Sequence, residues 1–316
     1  MIDNTNGKEY TIERLGKNNI RDLDKLHTAV YGKHQPAGYF EKKYDTAYLG
    51  VENIGFIAYD QSRVPIAYYG VVPCFIRYND QLYLGAQSVD TMTHQKYRFK
   101  GLFVQLANLT YDLAAEEGIS FIFGFPNQNS LHGFLVKLKW QMTEMMDCYI
   151  IPVGIIPTEG IANKIPFTKK LYKKYQQYML KDYLVDARGV ENSAFKDHFG
   201  GVNRNAGYLH YRTYNETMVI KVGKALLWVK IQNGLIIGDI NCETADFDDM
   251  MEKLYKLAFK LGLKSIQFHT SHQTQLAALF SERYEAQPSF YVLFKNLGSN
   301  LPLDKIKFTF ADIDIF

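Results

Sequence analysis

The sequence predicts an α+β protein made of two similar lobes, each a mostly antiparallel mixed sheet flanked by helices. Three observations carry this. The chain has 316 residues, more than one hydrophobic core usually spans. Its 47% hydrophobic and 22% charged residues are the proportions of a soluble globular protein. Both halves then show one order of elements: a run of strands, a long amphipathic helix closed by glycine, a short apolar strand, a polar turn and a short helix. Gly118 leads into residues 119–125, and Gly262 leads into 263–269. The halves agree in element order with little identity, which points to structural duplication rather than a sequence repeat.

Residues 10–15 read as a short strand. Residues 18–30 read as a helix, because Ile20, Leu23, Leu26, His27 and Val30 share one face. Pro36 opens a second helix at 36–44. Strand-like runs follow at 54–59, 65–78 and 81–93, with Asn79-Asp80 as the tight turn of an antiparallel meander. Beyond a polar, basic segment at 94–100, Leu102, Leu106, Leu109 and Leu113 recur at helical spacing up to Gly118. Residues 119–125 make a buried strand, 126–130 a turn, 131–139 a short helix and 141–153 another strand.

Residues 154–206 differ in character. Lys169, Lys170, Lys173, Lys174 and Lys181 stand between Leu171, Tyr175, Tyr178 and Met179. Such a helix either lies on a membrane surface or acidic partner, or bridges the halves with its lysines in water. The sequence shows no large apolar face beside the charges and favours the bridge. Strands resume at 218–222, 225–231 and 235–240. A second amphipathic helix carries Phe247, Met250, Met251, Leu254, Leu257, Ala258 and Leu261 on one face. A strand (264–270), a short helix (273–283) and a last strand (289–296) complete the pattern. The expected organisation is therefore a first domain at 1–155, a basic helical connector at 156–206 and a second lobe at 207–316.

The formal net charge of +3 is too small to argue for nucleic acid, and no nucleic-acid-binding signature accompanies it. Cys74, Cys148 and Cys242 form neither a metal spacing nor a CxxC pair, which fits a reducing compartment. Residues 1–5 lack the character of a signal peptide, and no apolar run reaches the ~20 residues of a membrane span. The expectation is a cytoplasmic protein without a span. No metal is expected either: His269-Thr270-Ser271-His272 has no carboxylate or cysteine ligand beside it. No G-x-S-x-G or P-loop appears.

The segment most informative about chemistry is Thr93-His94-Gln95-Lys96-Tyr97-Arg98-Phe99-Lys100-Gly101-Leu102-Phe103. It joins a strand to an amphipathic helix whose first N–H groups lack intrahelical partners and sit at the positive end of the helix dipole. A pyrophosphate fits such a place. Arg98 and Lys100 add positive charge, and Gly101 lets the backbone approach phosphates without a Cβ. The corresponding place in the second half, Glu243 to Asp249, is acidic. It is expected to cap its own helix and to repel a pyrophosphate.

The segment resembles the cofactor loop of the GNAT superfamily of N-acyltransferases, [QR]-x-x-G-x-[GA], with Arg98 and Gly101 at its first two fixed positions and Phe103 where Gly or Ala is usual. The run Gly124-Phe125-Pro126-Asn127-Gln128-Asn129-Ser130, closing at Trp140, and the tail Phe310-Ala311-Asp312-Ile313-Asp314 resemble larger members. The resemblance covers residues 10–153 well and the rest by element order. It implies acetyl-CoA or another acyl-CoA as co-substrate. Tyr97, Arg98, Phe99, Lys100, Gly101, Leu102 and Phe103 would form the loop, and Met92 and Thr93 would belong to a splayed strand whose backbone pairs with pantetheine. Asn127 and Ser130 would either touch pantetheine or cap the following helix. Direct attack of an amine on the thioester needs a base, for which Asp90 is the candidate, ahead of Glu144 and Asp147. The family's acidic tyrosine has Phe134 as its nearest equivalent, which leaves solvent, Tyr149 or another tyrosine to supply that proton. The acceptor would be a small-molecule amine such as an amino sugar or amino acid. Acyl chain length, acceptor identity and oligomeric state stay open, as do a non-catalytic acyl-CoA-binding protein and Fem-type aminoacyl transfer from charged tRNA. The second lobe would shape the acceptor side, as in the tandem arrangement of Fem-type proteins and N-myristoyltransferases.

Overall fold

The structure is a computed structural model that describes residues 10–154, 160 and 166–316. In chain order the main elements are β1 (Tyr10–Arg14), α1 (Asp22–Tyr31), α2 (Tyr39–Lys43), β2 (Ile54–Asp60), β3 (Pro65–Tyr78), β4 (Gln81–Thr93), α3 (Leu102–Glu116), β5 (Phe121–Gly124), α4 (Gln128–His132), β6 (Gln141–Pro152), α5 (Pro166–Leu180), α6 (Ala206–Tyr211), β7 (Met218–Val222), β8 (Ala225–Ile231), β9 (Leu235–Asn241), α7 (Phe247–Lys260), β10 (Ser265–Thr270), α8 (Gln275–Ser281) and β11 (Ala286–Asn296). The expected α+β class is the one found. The chain forms two compact units: Met1–Thr143 with Tyr291–Leu303, and Glu144–Phe290 with Asp304–Phe316.

In the first unit the strands run β1-β2-β3-β4-β5-β11. All neighbours are antiparallel except β4 and β5. The apolar period of α3 buries Leu102, Leu106, Ala107, Tyr111, Leu113 and Ala114, which pack with Ile54, Tyr69, Ile122 and Trp140. The second unit has the order β6-β10-β9-β8-β7, again with one parallel pair, β9 and β10. Its core gathers Phe247, Met250, Leu254 and Leu257 of α7 against Val229, Ile237 and Phe268.

Three local elements differ from the sequence reading. The first helix starts at Asp22, because the Asn19 side chain accepts from Gly16 N (2.9 Å) and donates to Arg14 O (3.1 Å). Those bonds hold a turn in competition with the helix. The segment expected as one helix at 131–139 is α4 followed by a π-helical turn, Gly133–Lys137. The second helix shrinks to Tyr39–Lys43 behind a left-handed Gly38. Lys164, the start of the basic stretch, lies outside the described residues. Among the described residues no helix is long and apolar enough to cross a membrane.

Candidate functional site

The backbone of β4 creates the site. It pairs with β3 from Tyr78↔Gln81 to Ala67↔Thr93, with one shift: Gly70 faces Val89 and Tyr68 faces Met92. Two residues, Asp90 and Thr91, therefore oppose Tyr69 alone, which is a β-bulge. Asp90 has φ +49°, a conformation aspartate tolerates better than most residues. With β5 the pairing is shorter, from Gly85↔Phe121 to Ser88↔Gly124. The two parallel strands part there, while β4 runs on to Thr93. Residues 89–93 thus present backbone on the β5 side. Met92 is buried, whereas Asp90, Thr91 and Thr93 keep partial exposure.

The loop beyond is pinned at its base. His94 N donates to Ile66 O (2.8 Å), and the His94 ring accepts from Lys96 N. Tyr97 Oη donates to Asp60 Oδ2 (3.2 Å), and Lys100 Nζ sits 5.3 Å from the Tyr97 ring centroid. Arg98, Phe99 and Lys100 are exposed. Gly101, at φ +79°, precedes α3, and a Cβ built on it would meet no protein atom within 4 Å. Glycine is thus required here by the backbone conformation, and the space over it is open. No side chain caps α3, and its first turn has no acidic residue. Its N–H groups keep their full positive end. Phe103 turns inward instead: its ring covers Gly133, where a Cβ would come within 2.9 Å of it. That glycine makes room for the Phe103 side chain.

Asp90 is not solitary. Its Oδ2 receives Lys43 Nζ (2.8 Å) and Tyr44 Oη (3.0 Å). Both partners are buried, and burial, helped by the Asp90 charge, raises the Tyr44 phenol well above its usual range. Nothing in the pattern of 36–44 marked Lys43 as a buried cation. A second group unread in the sequence lies at the fork. Ser88 Oγ donates to Tyr69 Oη (2.9 Å), which is 3.2 Å from Tyr111 Oη, which accepts from Trp140 Nε1 (2.8 Å). Burial raises both phenols. Phe134 is buried against Phe103 and Trp140 as core.

Asn127 caps α4, its side chain accepting from Asn129 N and Ser130 N, and Ser130 Oγ donates back to Asn127 O. The cap, one of the two roles expected for this pair, is formed. Tyr149 lies in the second unit, fully buried, and donates to Ala277 O (3.3 Å) and Asp147 Oδ2 (3.5 Å). Burial, with the Asp147 charge, pushes its phenol up to about 12. Glu144 pairs with Lys307 (3.2 Å) and Asp147 with His272 (3.1 Å), also in the second unit.

The second unit repeats the fork and closes it. β9 pairs with β10 only from Leu235↔Ile266 to Ile237↔Phe268, and its register with β8 shifts between Ile237 and Asp239. Asp239 is fully buried and ion-paired with Arg204 (2.6 Å), which also holds Asp312 (2.8 Å). The turn Phe310–Asp312 contacts both β9 and β10, Phe310 stacks on His269, and a Cβ at Gly238 would run into the Phe316 ring. The start of α7 was expected to be capped by its own acids, and this is not so. No side-chain cap bond forms there, because each acid has a cation in reach: Glu243 with Lys196, Asp246 with Lys224, Asp248 with Arg283 and Asp249 with Lys253.

No protein-family model matches the sequence, and no curated protein matches it. Similar solved structures include a conserved protein of unknown function from Enterococcus faecalis, at 12% identity over 92% of this chain and 73% of that one, TM-score 0.60. Two GCN5-related N-acetyltransferases are also similar. The one from Kribbella flavida has 7% identity over 92% and 72% of the two chains, and the one from Anabaena variabilis 12% over 91% and 73%, both with TM-score 0.56. At such identities the likeness is one of fold: the chain has the fold of the GCN5-related N-acetyltransferases.

Proposed function

We propose that this chain is an N-acyltransferase that moves an acyl group, in the first instance acetyl, from acyl-coenzyme A to the amine of a small molecule such as an amino sugar or amino acid. One junction supports the reading: β4 parts from β5 at Ser88, and the same strand leads into the uncapped start of α3 behind Arg98-Phe99-Lys100-Gly101. Pantetheine is an amide chain, and the backbone of the partly exposed Asp90, Thr91 and Thr93, on either side of the buried Met92, offers it hydrogen-bond partners. The N–H groups at Gly101, Leu102 and Phe103 suit a pyrophosphate, with Arg98 and Lys100 adding charge and Tyr97 anchoring the loop.

The unprotonated acceptor amine attacks the thioester carbonyl. The new C–N bond forms, the C–S bond breaks, and the amine proton passes to Asp90, which Lys43 and Tyr44 hold in place. Phe134 has no proton to give, and the buried phenols of Tyr69 and Tyr111 hold theirs. The thiolate therefore leaves beside the Ser88 hydroxyl and takes its proton from water. Tyr149 has no part in this scheme. A second reading, an acyl-CoA-binding protein without turnover, is favoured by the buried Phe134. Release of free thiol from acetyl-CoA across a panel of amines separates the two, with the acceptor identified by its mass gain. Binding of CoA without thiol release supports the second reading. No thermal shift at millimolar CoA counts against both, since a ligand at a hundredfold excess over its Kd adds about 2.7 kcal/mol.

A further inference from the structure

We infer that the outward face of α5 is a docking surface for an anionic lipid bilayer. The helix inverts the usual soluble pattern. Phe167, Leu171, Tyr175 and Tyr178 are 78%, 61%, 42% and 77% exposed, while Thr168 and Gln176 are half-buried behind them. At about 100° per residue the four exposed side chains fall within an arc of about 80°. Scattered exposed apolar residues are ordinary, but four large ones in a single stripe are not.

The other face explains how the helix is held without them. Leu180 is buried, Met179 packs on the core of the second unit, and Tyr172 Oη donates to Leu261 O (2.7 Å). Tyr175 reaches back to Lys260 O (2.7 Å), beside a half-exposed Phe259 that extends the patch.

The charges select the occupant. Residues 160–181 contain six lysines and no Asp or Glu. At helical spacing Lys170 and Lys174 fall along one flank of the stripe, while Lys173 pairs with Glu216. Apolar side chains in one row with lysines alongside is the geometry of a helix lying in a membrane interface. Its apolar row enters the acyl boundary, and its lysine stems reach the headgroups. Fifteen residues give a contact about 22 Å long. The surface presented is the outside of a helix, which meets a plane more readily than it fills a pocket. The inference concerns the second unit alone and does not depend on the proposed activity.

The test is sedimentation of the full chain with phosphatidylglycerol vesicles and with phosphatidylcholine vesicles. Binding is expected to the first, at least tenfold weaker to the second, and reduced by salt. Phe167→Ala with Leu171→Ala should weaken it on the order of tenfold or more, and Lys170→Ala with Lys174→Ala by about fivefold per lysine. These side chains lie outside the core, so circular dichroism should show an unchanged fold. Absence of binding to phosphatidylglycerol, or binding that both double variants leave intact, overturns the inference. So does a chain that self-associates in solution and becomes monomeric in Phe167→Glu, since the stripe then belongs to a second copy.

Discussion

The two forks of this chain share a backbone and differ in what fills them. In both, a bulged strand parts from its parallel neighbour just before an aspartate and then leads to a long helix ahead of a left-handed glycine, Gly118 or Gly262. In the first, Asp90 keeps some solvent access, the loop is basic and α3 is uncapped. In the second, Asp239 is sealed under Arg204, the C-terminal turn contacts both strands, and the helix start carries four acids. Duplicated element order therefore preserves the shape of the fork. Whether the fork is open and basic or sealed and acidic is set by a few side chains.

The largest expected effect breaks the closed fork. Arg204→Ala leaves Asp239 and Asp312 buried without their cation, and should cost about 3–5 kcal/mol of stability by denaturant titration. A loss under 1 kcal/mol would mean that the Arg204 ion pairs with Asp239 and Asp312 do not hold the second unit. A pH titration probes the same place. Burial depresses His269 from 6.5 to about 4, so the folded state keeps it neutral while the unfolded state takes up a proton. The stability it contributes is complete above pH 6.5 and falls as the pH drops toward 4, by about 3 kcal/mol in all. His269→Gln should lack that slope, and an unaltered slope refutes the assignment.

The open fork should answer in rates and affinities. Asp90→Asn should lower kcat by about a hundredfold with little change in donor KM, the mark of a base acting in the transition state. An unchanged kcat would remove Asp90 from the chemistry. Gly101→Val should weaken CoA binding tenfold or more, since each charge-assisted hydrogen bond lost costs about 1.5–3 kcal/mol and valine resists φ +79°. Calorimetry of the parent should give one coenzyme per chain, and a second equivalent site would erase the contrast between the forks. The smallest effect belongs to Arg98→Ala, a few-fold loss of affinity that shrinks in high salt because an exposed charge is screened. A loss independent of salt would argue for a directed hydrogen bond instead.

Helical and strand periodicity made the elements legible. The three-stranded meander, α3 and α7 lie where the apolar spacing puts them, because burying one face of each is what stabilises it. The turn from Arg98 to Gly101 was legible as a helix start, because a polar run ending in glycine gives way there to the apolar helical period of α3. Side-chain bonds that override local preference were not legible, as with Asn19 shortening α1. The outward stripe of α5 escaped notice because spacing alone cannot say which face of a helix meets the core.

The sequence by itself determined the α+β class, the doubling of its element order and the basic turn before α3, since these are local properties of pattern and charge. Tertiary structure decided what each aspartate faces. Lys43 reaches Asp90 from 47 positions earlier in the chain, and Arg204 meets Asp239 35 positions on and Asp312 108 positions on. A buried ion pair is fixed by three-dimensional proximity and desolvation, and neither is written in the spacing of the residues that form it.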